Sequence, residues 1–242
     1  MGIGPRAFQL GIAALLAVSI AVASSAFAQD FRSTDLSLVE VTLRKFNDPD
    51  PGHKIILRLP RAAITFANGY DSRRLSQIPD AIETDSLRLS LTYPDGDPLS
   101  VQARDEGRKQ GISEGAMRKA LRAREYSALL GYSPPGNPWE ERVREGLSHL
   151  TIVDQYEGLP HAKADIYVGQ SGIDEFLELR CYPWATPVYF CTANMLVGRI
   201  PSGTLVTQVG FPDFRFHGGR AYANDRTRRL RQIVCRFVVP AC

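Results

Sequence analysis

The feature that most constrains the fold is a strict alternation of apolar and polar side chains in two segments. Across residues 87–93, leucine or tyrosine occupies every second position, with arginine, serine and threonine between them. Residues 39–44 alternate in the same way, with valine and leucine against glutamate, threonine and arginine. Successive side chains of a strand point to opposite faces, so this period predicts strands with one buried and one solvated face. Such strands are typical of antiparallel sheets.

Turn residues separate further strand signals. Prolines bracket residues 183–187, and Pro-Ser-Gly occupies 201–203, so each of these segments predicts the turn of a hairpin. In the first hairpin, residues 176–182 lead into the turn and residues 188–192 return antiparallel. The other expected strands are 54–59, 62–66, 150–156, 164–168, 195–200 and 204–211.

One amphipathic helix is expected near the C-terminus. Its apolar stripe consists of Leu230, Ile233, Val234, Phe237 and Val238. These positions share one side of a helix, which must therefore pack on a sheet. Asp225 can cap the start of this helix, and Pro240 ends it. The predicted fold class is therefore α+β, with antiparallel sheets and a C-terminal amphipathic helix packed on them.

Residues 1–28 have the pattern of a cleavable secretory signal peptide. Arg6 precedes an apolar run from Ala7 to Ala23, and Ala26-Phe27-Ala28 presents small residues where a signal peptidase cleaves. Cleavage is expected before Gln29, which leaves no integral membrane segment. The alternative is an uncleaved anchor, but a spanning helix needs about 20 apolar residues, more than this run provides. The predicted location is the periplasm or the exterior of a bacterial cell.

All four cysteines lie in the last quarter of the chain: Cys181, Cys191, Cys235 and Cys242. An even number of cysteines in an exported protein predicts two disulfides, with three possible pairings. The spacings favour Cys181 with Cys191 and Cys235 with Cys242, because each pair closes a short loop. Neither spacing matches a zinc site.

The patterns divide the chain into four parts. Residues 1–28 are the signal peptide, and residues 29–101 form an N-terminal β-rich half. Residues 102–148 are polar and charged, and are expected to be an insert or linker with short helices. Residues 149–242 form a C-terminal β-rich half with the terminal helix and both disulfides.

The charge balance does not indicate a nucleic-acid partner. The formal net charge is +3, and Arg6 of the signal peptide contributes one unit of it. Arginines are concentrated between Asp213 and Arg236, where a solvated helix face is the expected explanation.

Catalytic motifs do not fit their contexts. Residues 111–115 (Gly-Ile-Ser-Glu-Gly) match the nucleophile elbow of serine hydrolases, and residues 217–219 (His-Gly-Gly) resemble an oxyanion loop. An elbow follows a hydrophobic strand, however, and the segment before Gly111 is charged. Residues 48–52 (Asp-Pro-Asp-Pro-Gly) resemble a calcium loop but lack its downstream ligands. No phosphate-binding loop or dinucleotide fingerprint is present, so we expect no cofactor and no catalytic residues.

Two groups of acidic residues remain as candidates for chemistry. Asp154, Glu157, His161 and Asp165 form the densest gathering of metal-ligand types. Glycine and proline interrupt this segment, so we expect solvated turn residues and no metal. Asp174, Glu175 and Glu178 could supply paired carboxylates for acid-base catalysis, but no second cluster fixes their geometry, so we expect a loop and the polar face of a strand.

Aromatic residues around the first hairpin turn are the candidate binding residues: Tyr182, Trp184, Tyr189 and Phe190. Tryptophan and tyrosine on a rigid loop are favoured in protein contacts. The alternative is that these rings pack into the core beneath the terminal helix.

Residues 57–62 (Leu-Arg-Leu-Pro-Arg-Ala) and 89–98 (Leu-Ser-Leu-Thr-Tyr-Pro-Asp-Gly-Asp-Pro) resemble the N-terminal half of a loose group of exported proteobacterial proteins without an assigned activity. The C-terminal half, with a cysteine-bearing hairpin, a second hairpin and a terminal helix, resembles periplasmic immunity proteins that neutralise type VI secretion toxins. This resemblance implies a protein partner and carries no catalytic residue.

Three classes of function are compatible with the sequence. A periplasmic binding or inhibitor protein, acting by contact with another protein, fits the signal peptide, the disulfides and the β-rich body. A structural, envelope-associated protein is the alternative. The third class is an enzyme with a dispersed carboxylate site.

Overall fold

Two sheets and one long helix share a hydrophobic core in the computed structural model, which describes residues 33–135, 154–159, 162–182, 190–240 and 242. The strands are β1 (Leu38–Leu43), β2 (Ile55–Pro60), β3 (Ile64–Ala67), β4 (Ala81–Thr84), β5 (Ser86–Thr92), β6 (Glu125–Ser133), β7 (Asp154–Leu159), β8 (Ala162–Val168), β9 (Glu178–Tyr182), β10 (Phe190–Ile200), β11 (Gly203–Pro212) and β12 (Val238–Val239). The helices are α1 (Leu99–Gln110), α2 (Glu114–Ala120) and α3 (Gly219–Cys235), and 3-10 helices span Arg61–Ala63, Ser72–Gln77, Leu121–Arg124 and Phe214–Phe216. The α+β fold class predicted from the sequence is confirmed. The predicted signal peptide lies outside the described residues.

The large sheet has eight strands in the order β3-β5-β6-β11-β10-β9-β8-β7, and all its pairs are antiparallel. The small sheet has the order β12-β2-β1-β4, and its β1–β4 pair is parallel, unlike the purely antiparallel sheets expected. After β2 the chain leaves the small sheet to form β3 of the large one. It then returns to the small sheet as β4, which runs parallel to β1.

The inner face of the large sheet is defined by Leu87, Leu89 and Leu91 of β5, all fully buried. Its core also contains Val39 and Val41 of β1 from the small sheet. The alternation in the sequence therefore correctly identified the buried side of both strands. The outer face carries Arg88 and the residues in register with it.

Helix α3 is shorter at its C-terminal end than the apolar stripe predicted. Leu230, Ile233 and Val234 are buried as expected, but the helix ends at Cys235. Val238 and Val239 instead form β12 and pair with β2, because β-branched residues favour a strand and the ladder supplies their hydrogen bonds.

The start of α3 also differs from the prediction. The helix begins at Gly219, with Gly218 as its N-cap, so Asp225 lies inside it. The Asp225 carboxylate accepts a hydrogen bond of 2.6 Å from the hydroxyl of Tyr93. It therefore links the helix to the end of β5 and does not cap it.

Residues 102–148 are not entirely the polar insert that their composition suggests. Helices α1 and α2 fit that description and bury a small cluster of their own, including Leu99 and Met117. Residues 125–133, however, form β6 in the middle of the large sheet, paired with β5 and β11. The N-terminal and C-terminal halves therefore meet through β6 in one sheet, and Arg32–Cys242 forms one compact unit.

None of the helices in the described part of the chain is both long and apolar enough to cross a membrane.

Candidate functional site

The β9–β10 hairpin holds the ends of the predicted binding turn in a fixed register. Cys181 pairs with Cys191 across the two strands, and Tyr182 pairs with Phe190 one position further along. A disulfide joins the two cysteines, and both are fully buried. The connection 183–189 therefore leaves and enters the sheet at two adjacent, covalently linked strands.

The four predicted binding residues are only partly covered by the structure. Tyr182 and Phe190 are described by their strand pairing alone. Trp184 and Tyr189 lie outside the described residues.

A buried ion pair lies next to this disulfide. Asp213 is 1% exposed, and both its side-chain oxygens accept hydrogen bonds from Arg215, the shorter at 2.5 Å. One carboxylate oxygen lies within 4.8 Å of the sulfur atoms of Cys181 and Cys191. The disulfide and the arginine occupy these three potential metal donors, so the cluster stabilises the hairpin end as it stands.

An exposed aromatic residue that the sequence analysis missed lies near the same end of the sheet. Pro212, the last residue of β11, is in register with Phe190. Four residues further on, Phe216 is 67% exposed, whereas Phe214 in the same 3-10 helix is buried. No periodic signal marks a three-residue helix, so its outward-facing ring could not be identified from the sequence.

The second disulfide, Cys235–Cys242, closes the chain end after α3. It packs against Gly198 of β10, where an added Cβ would lie 2.9 Å from the Cys242 sulfur. Both disulfides have the pairing expected from the cysteine spacings, and they fit an exported protein.

The carboxylate of Asp174 is bound by residues of α3 and its own loop. It accepts hydrogen bonds from Arg220, from Asn224 at 3.0 Å and from the backbone of Gln170 at 2.7 Å. Burial alone would raise the pKa of Asp174. The hydrogen bonds, that from Arg220 foremost, outweigh burial and hold this pKa below its usual value.

The other two acidic candidates are bound in the same way. Glu175 accepts a 2.5 Å hydrogen bond from Arg231 and a longer one from Arg228. Glu178 is 1% exposed, and both its oxygens accept from Arg180. These carboxylates make structural ion pairs, and the arginine-rich helix supplies several of the cations.

The elbow-like string 111–115 connects two helices. Gly111 ends α1 in a left-handed conformation with φ of 68°. Ser113 caps α2, since its hydroxyl oxygen accepts a hydrogen bond of 3.3 Å from the backbone of Ala116. The hydroxyl therefore has a structural role. The oxyanion-like string 217–219 leads into α3.

Two segments resemble metal-binding sites in sequence, but neither has the local structure of such a site. At the turn 48–52, His53 lies between Asp48 and Asp50, with each ring nitrogen 3.2 Å from a carboxylate oxygen. A hydrogen bond from the Asp50 backbone is the main cause that lowers the pKa of Asp48. Asp154 and Asp165 lie on the paired strands β7 and β8, and not in a turn.

Arg226 is the most unusual polar residue of the core, because it is 1% exposed and has no carboxylate bonded to it among the described residues. Its guanidinium carbon lies 4.4 Å from the ring centre of Tyr93 and 4.5 Å from that of Tyr126. Phe211 and Tyr222 complete an aromatic enclosure. Burial lowers the pKa of Arg226, and the electron-rich ring faces compensate part of this desolvation.

The outer face of the large sheet has a groove between strands distant in sequence. Exposed Phe46 and Asn68 border its wider part, and Gly131 lies within it. No sequence motif marks this groove, because its residues come from separate elements.

No protein-family model and no curated protein matches the chain. Among solved structures, the chain is similar to the iron-regulated outer membrane lipoprotein FrpD of Neisseria meningitidis, with 10% identity over 87% of this chain and 98% of that chain, and a TM-score of 0.34. A TM-score this low does not establish a shared fold.

Proposed function

We propose that this chain is an exported, non-enzymatic binding protein that acts by stoichiometric contact with another protein. The turn from Tyr182 to Phe190 supplies the contact. The observation that carries this proposal is the Cys181–Cys191 disulfide, which fixes both ends of the turn on the large sheet. A loop that is restricted before binding loses less conformational entropy on association.

The composition of the turn supports the same function. Pro183 and Pro187 restrict its backbone, and Trp184 and Tyr189 offer large contact areas at low entropic cost. The acidic candidates for catalysis are engaged by arginines, which favours binding over the enzyme alternative. The proposed location is the periplasm, where an immunity-like protein would meet a delivered toxin. A secreted form is the alternative.

The test uses affinity capture from periplasmic extract with the mature chain as bait, and compares the two disulfides. The variant Cys181→Ala/Cys191→Ala should lose about 2 to 3 kcal/mol of stability and at least tenfold in partner affinity. The control Cys235→Ala/Cys242→Ala removes the other disulfide, which closes a loop of similar length, 7 against 10 residues in sequence separation. It should lose similar stability and keep its affinity for the partner.

Equal capture by both variants would contradict the proposal, provided both remain folded at the capture temperature. If the wild-type chain captures no protein and sediments with purified outer membrane, the envelope-associated alternative replaces it.

A further inference from the structure

The outer face of the large sheet has a groove whose described lining residues all lie outside the binding turn. Two depressions, with volumes of about 610 and 270 Å³, meet at Ser86 and Gly131. They continue across neighbouring strands, because Ser86 of β5 is in register with Gly131 of β6, which is in register with Val206 of β11. Asn194 of β10 borders the far end.

This stretch of the sheet is open in the described part of the chain. Arg88, Ser127 and Gln208, on three adjacent strands, are exposed next to it. From β5 to β10 the groove crosses three strand spacings, or about 14 Å. It is therefore long enough for an extended ligand that lies across the strands.

Gly131 leaves the floor of the groove without a side chain. Neither its backbone nor its packing requires glycine: it is not among the residues with positive φ, and an added Cβ would approach nothing closer than Val206 at 3.5 Å. Glycine inside a strand weakens the strand, and it often marks a place where a ligand approaches the backbone closely. Gly131 therefore leaves room for a ligand to approach the sheet closely.

The lining of the groove combines polar and apolar groups. Its amide and hydroxyl side chains include Asn47, Asn68, Ser86, Asn194 and Gln208, and its apolar side chains include Leu129 and Val206. Amides and hydroxyls both donate and accept hydrogen bonds, so they match ligand hydroxyl groups. The two charged residues are Lys45 and Asp85, and Asp85 already accepts a 2.8 Å hydrogen bond from Asn68. This lining is close to neutral overall.

Phe46 adds an aromatic surface at the edge of the groove. Its side chain is 55% exposed, although burial of a phenylalanine is strongly favourable. The electron-rich face of an aromatic ring attracts the polarised C–H groups on one side of a sugar ring.

We propose that this groove binds a neutral, hydroxyl-rich glycan strand, with Phe46 stacking on one sugar ring and Gly131 allowing the strand to contact the sheet. The amides of Asn47 and Gln208 then hydrogen-bond the sugar hydroxyls, whereas those of Asn68 and Asn194 already donate to Asp85 and Glu178. The proposal for this groove does not depend on the function proposed for the binding turn.

The test is calorimetric titration of the mature chain with chitotetraose, maltotetraose and cellotetraose. At least one of these oligosaccharides should bind saturably. Gly131→Val should weaken that binding at least tenfold by filling the groove, and Phe46→Ala should weaken it severalfold. Cosedimentation with purified peptidoglycan sacculi then distinguishes a wall glycan from a free oligosaccharide as the source.

Gly210→Val is the matched control. Gly210 lies on β11 and does not line either depression, and an added Cβ there would meet nothing closer than 4.0 Å. This variant should bind sugar like the wild type, and so should Trp184→Ala. The inference is overturned if none of the three oligosaccharides binds, or if the two glycine variants behave alike.

Discussion

The inner and outer faces of the large sheet use the same strands but meet different constraints. On β5, Leu89 is fully buried, whereas its neighbour Arg88 is exposed. On β6, Ala128 and Leu130 fill the core, whereas Gly131 leaves open space on the other side. Packing determines the inner face almost completely. The outer face is only partly subject to that demand, because Ser90 and Thr92 of β5 are buried there whereas Arg88 is exposed. The composition of its open part is where function can be encoded.

Arg226 is an exception to the apolar character of the core at the inner face. It lies in the core between α3 and the inner face, yet it carries a charge. The rings of Tyr93 and Tyr126 take the place of a counter-ion, and its guanidinium donates a 3.0 Å hydrogen bond to the backbone of Glu125. The charged Arg226 is thus tolerated in the core because aromatic rings and a backbone hydrogen-bond acceptor surround its guanidinium group.

The largest expected effect is at this arginine. Arg226→Ala should reduce the free energy of unfolding by about 4 kcal/mol, because it leaves a cavity among four rings. Arg226→Met keeps most of the volume and should cost clearly less. Arg228→Ala is the control, since its exposed ion pair contributes about 0.5 kcal/mol. Urea unfolding that shows equal stability for Arg226→Ala and Arg228→Ala would disprove the assigned role.

A smaller effect is expected from a pair of neighbours on β5. Leu89→Ala should cost about 3 kcal/mol, because Leu89 is fully buried in the core. Arg88→Ala should change the stability by less than about 0.5 kcal/mol, since Arg88 is on the solvated face. Thermal melts of the two variants check the assignment of the faces. Similar losses of stability in both variants would mean that Arg88 is also buried, and would contradict the assignment of the two faces.

The smallest effect concerns Asp174, which joins the β8–β9 loop to α3. Asp174→Asn should cost about 2 kcal/mol at pH 7, because it removes the charged acceptor of Arg220. The pKa of Asp174 is lowered in the folded state, so its contribution is present above the unfolded pKa and is lost as the pH falls through the folded pKa. The difference between wild type and variant should therefore shrink from pH 7 to pH 3. A constant difference in urea midpoints would contradict this explanation.

The sequence predicted those parts of the fold that depend on short-range patterns. The alternation at 87–93, the hairpin 176–192 and the cysteine pairing are all local, and the structure contains each of them. Strand β6 was missed because Leu129 interrupts an otherwise clear alternation of Tyr126, Ala128 and Leu130. The end of α3 was misplaced because a helical stripe cannot show where β-branched residues turn into a strand.

The candidate sites were less predictable, because they depend on contacts between distant residues. Arg220 and Asp174 are 46 positions apart, and nothing in either segment identifies the other as its partner. The groove combines Phe46, Gly131 and Val206 from three separate elements. The binding turn is a continuous segment, which is why sequence reasoning could select it.

The most direct test of the central claim is partner capture by Trp184→Ala. If the turn supplies the contact, Trp184→Ala should weaken capture by about 2 kcal/mol or more and leave the melting temperature nearly unchanged. If Trp184 belongs to the core, the same substitution should cost about 3 to 5 kcal/mol of stability. A large loss of stability, or full capture by a stable Trp184→Ala variant, would contradict the account.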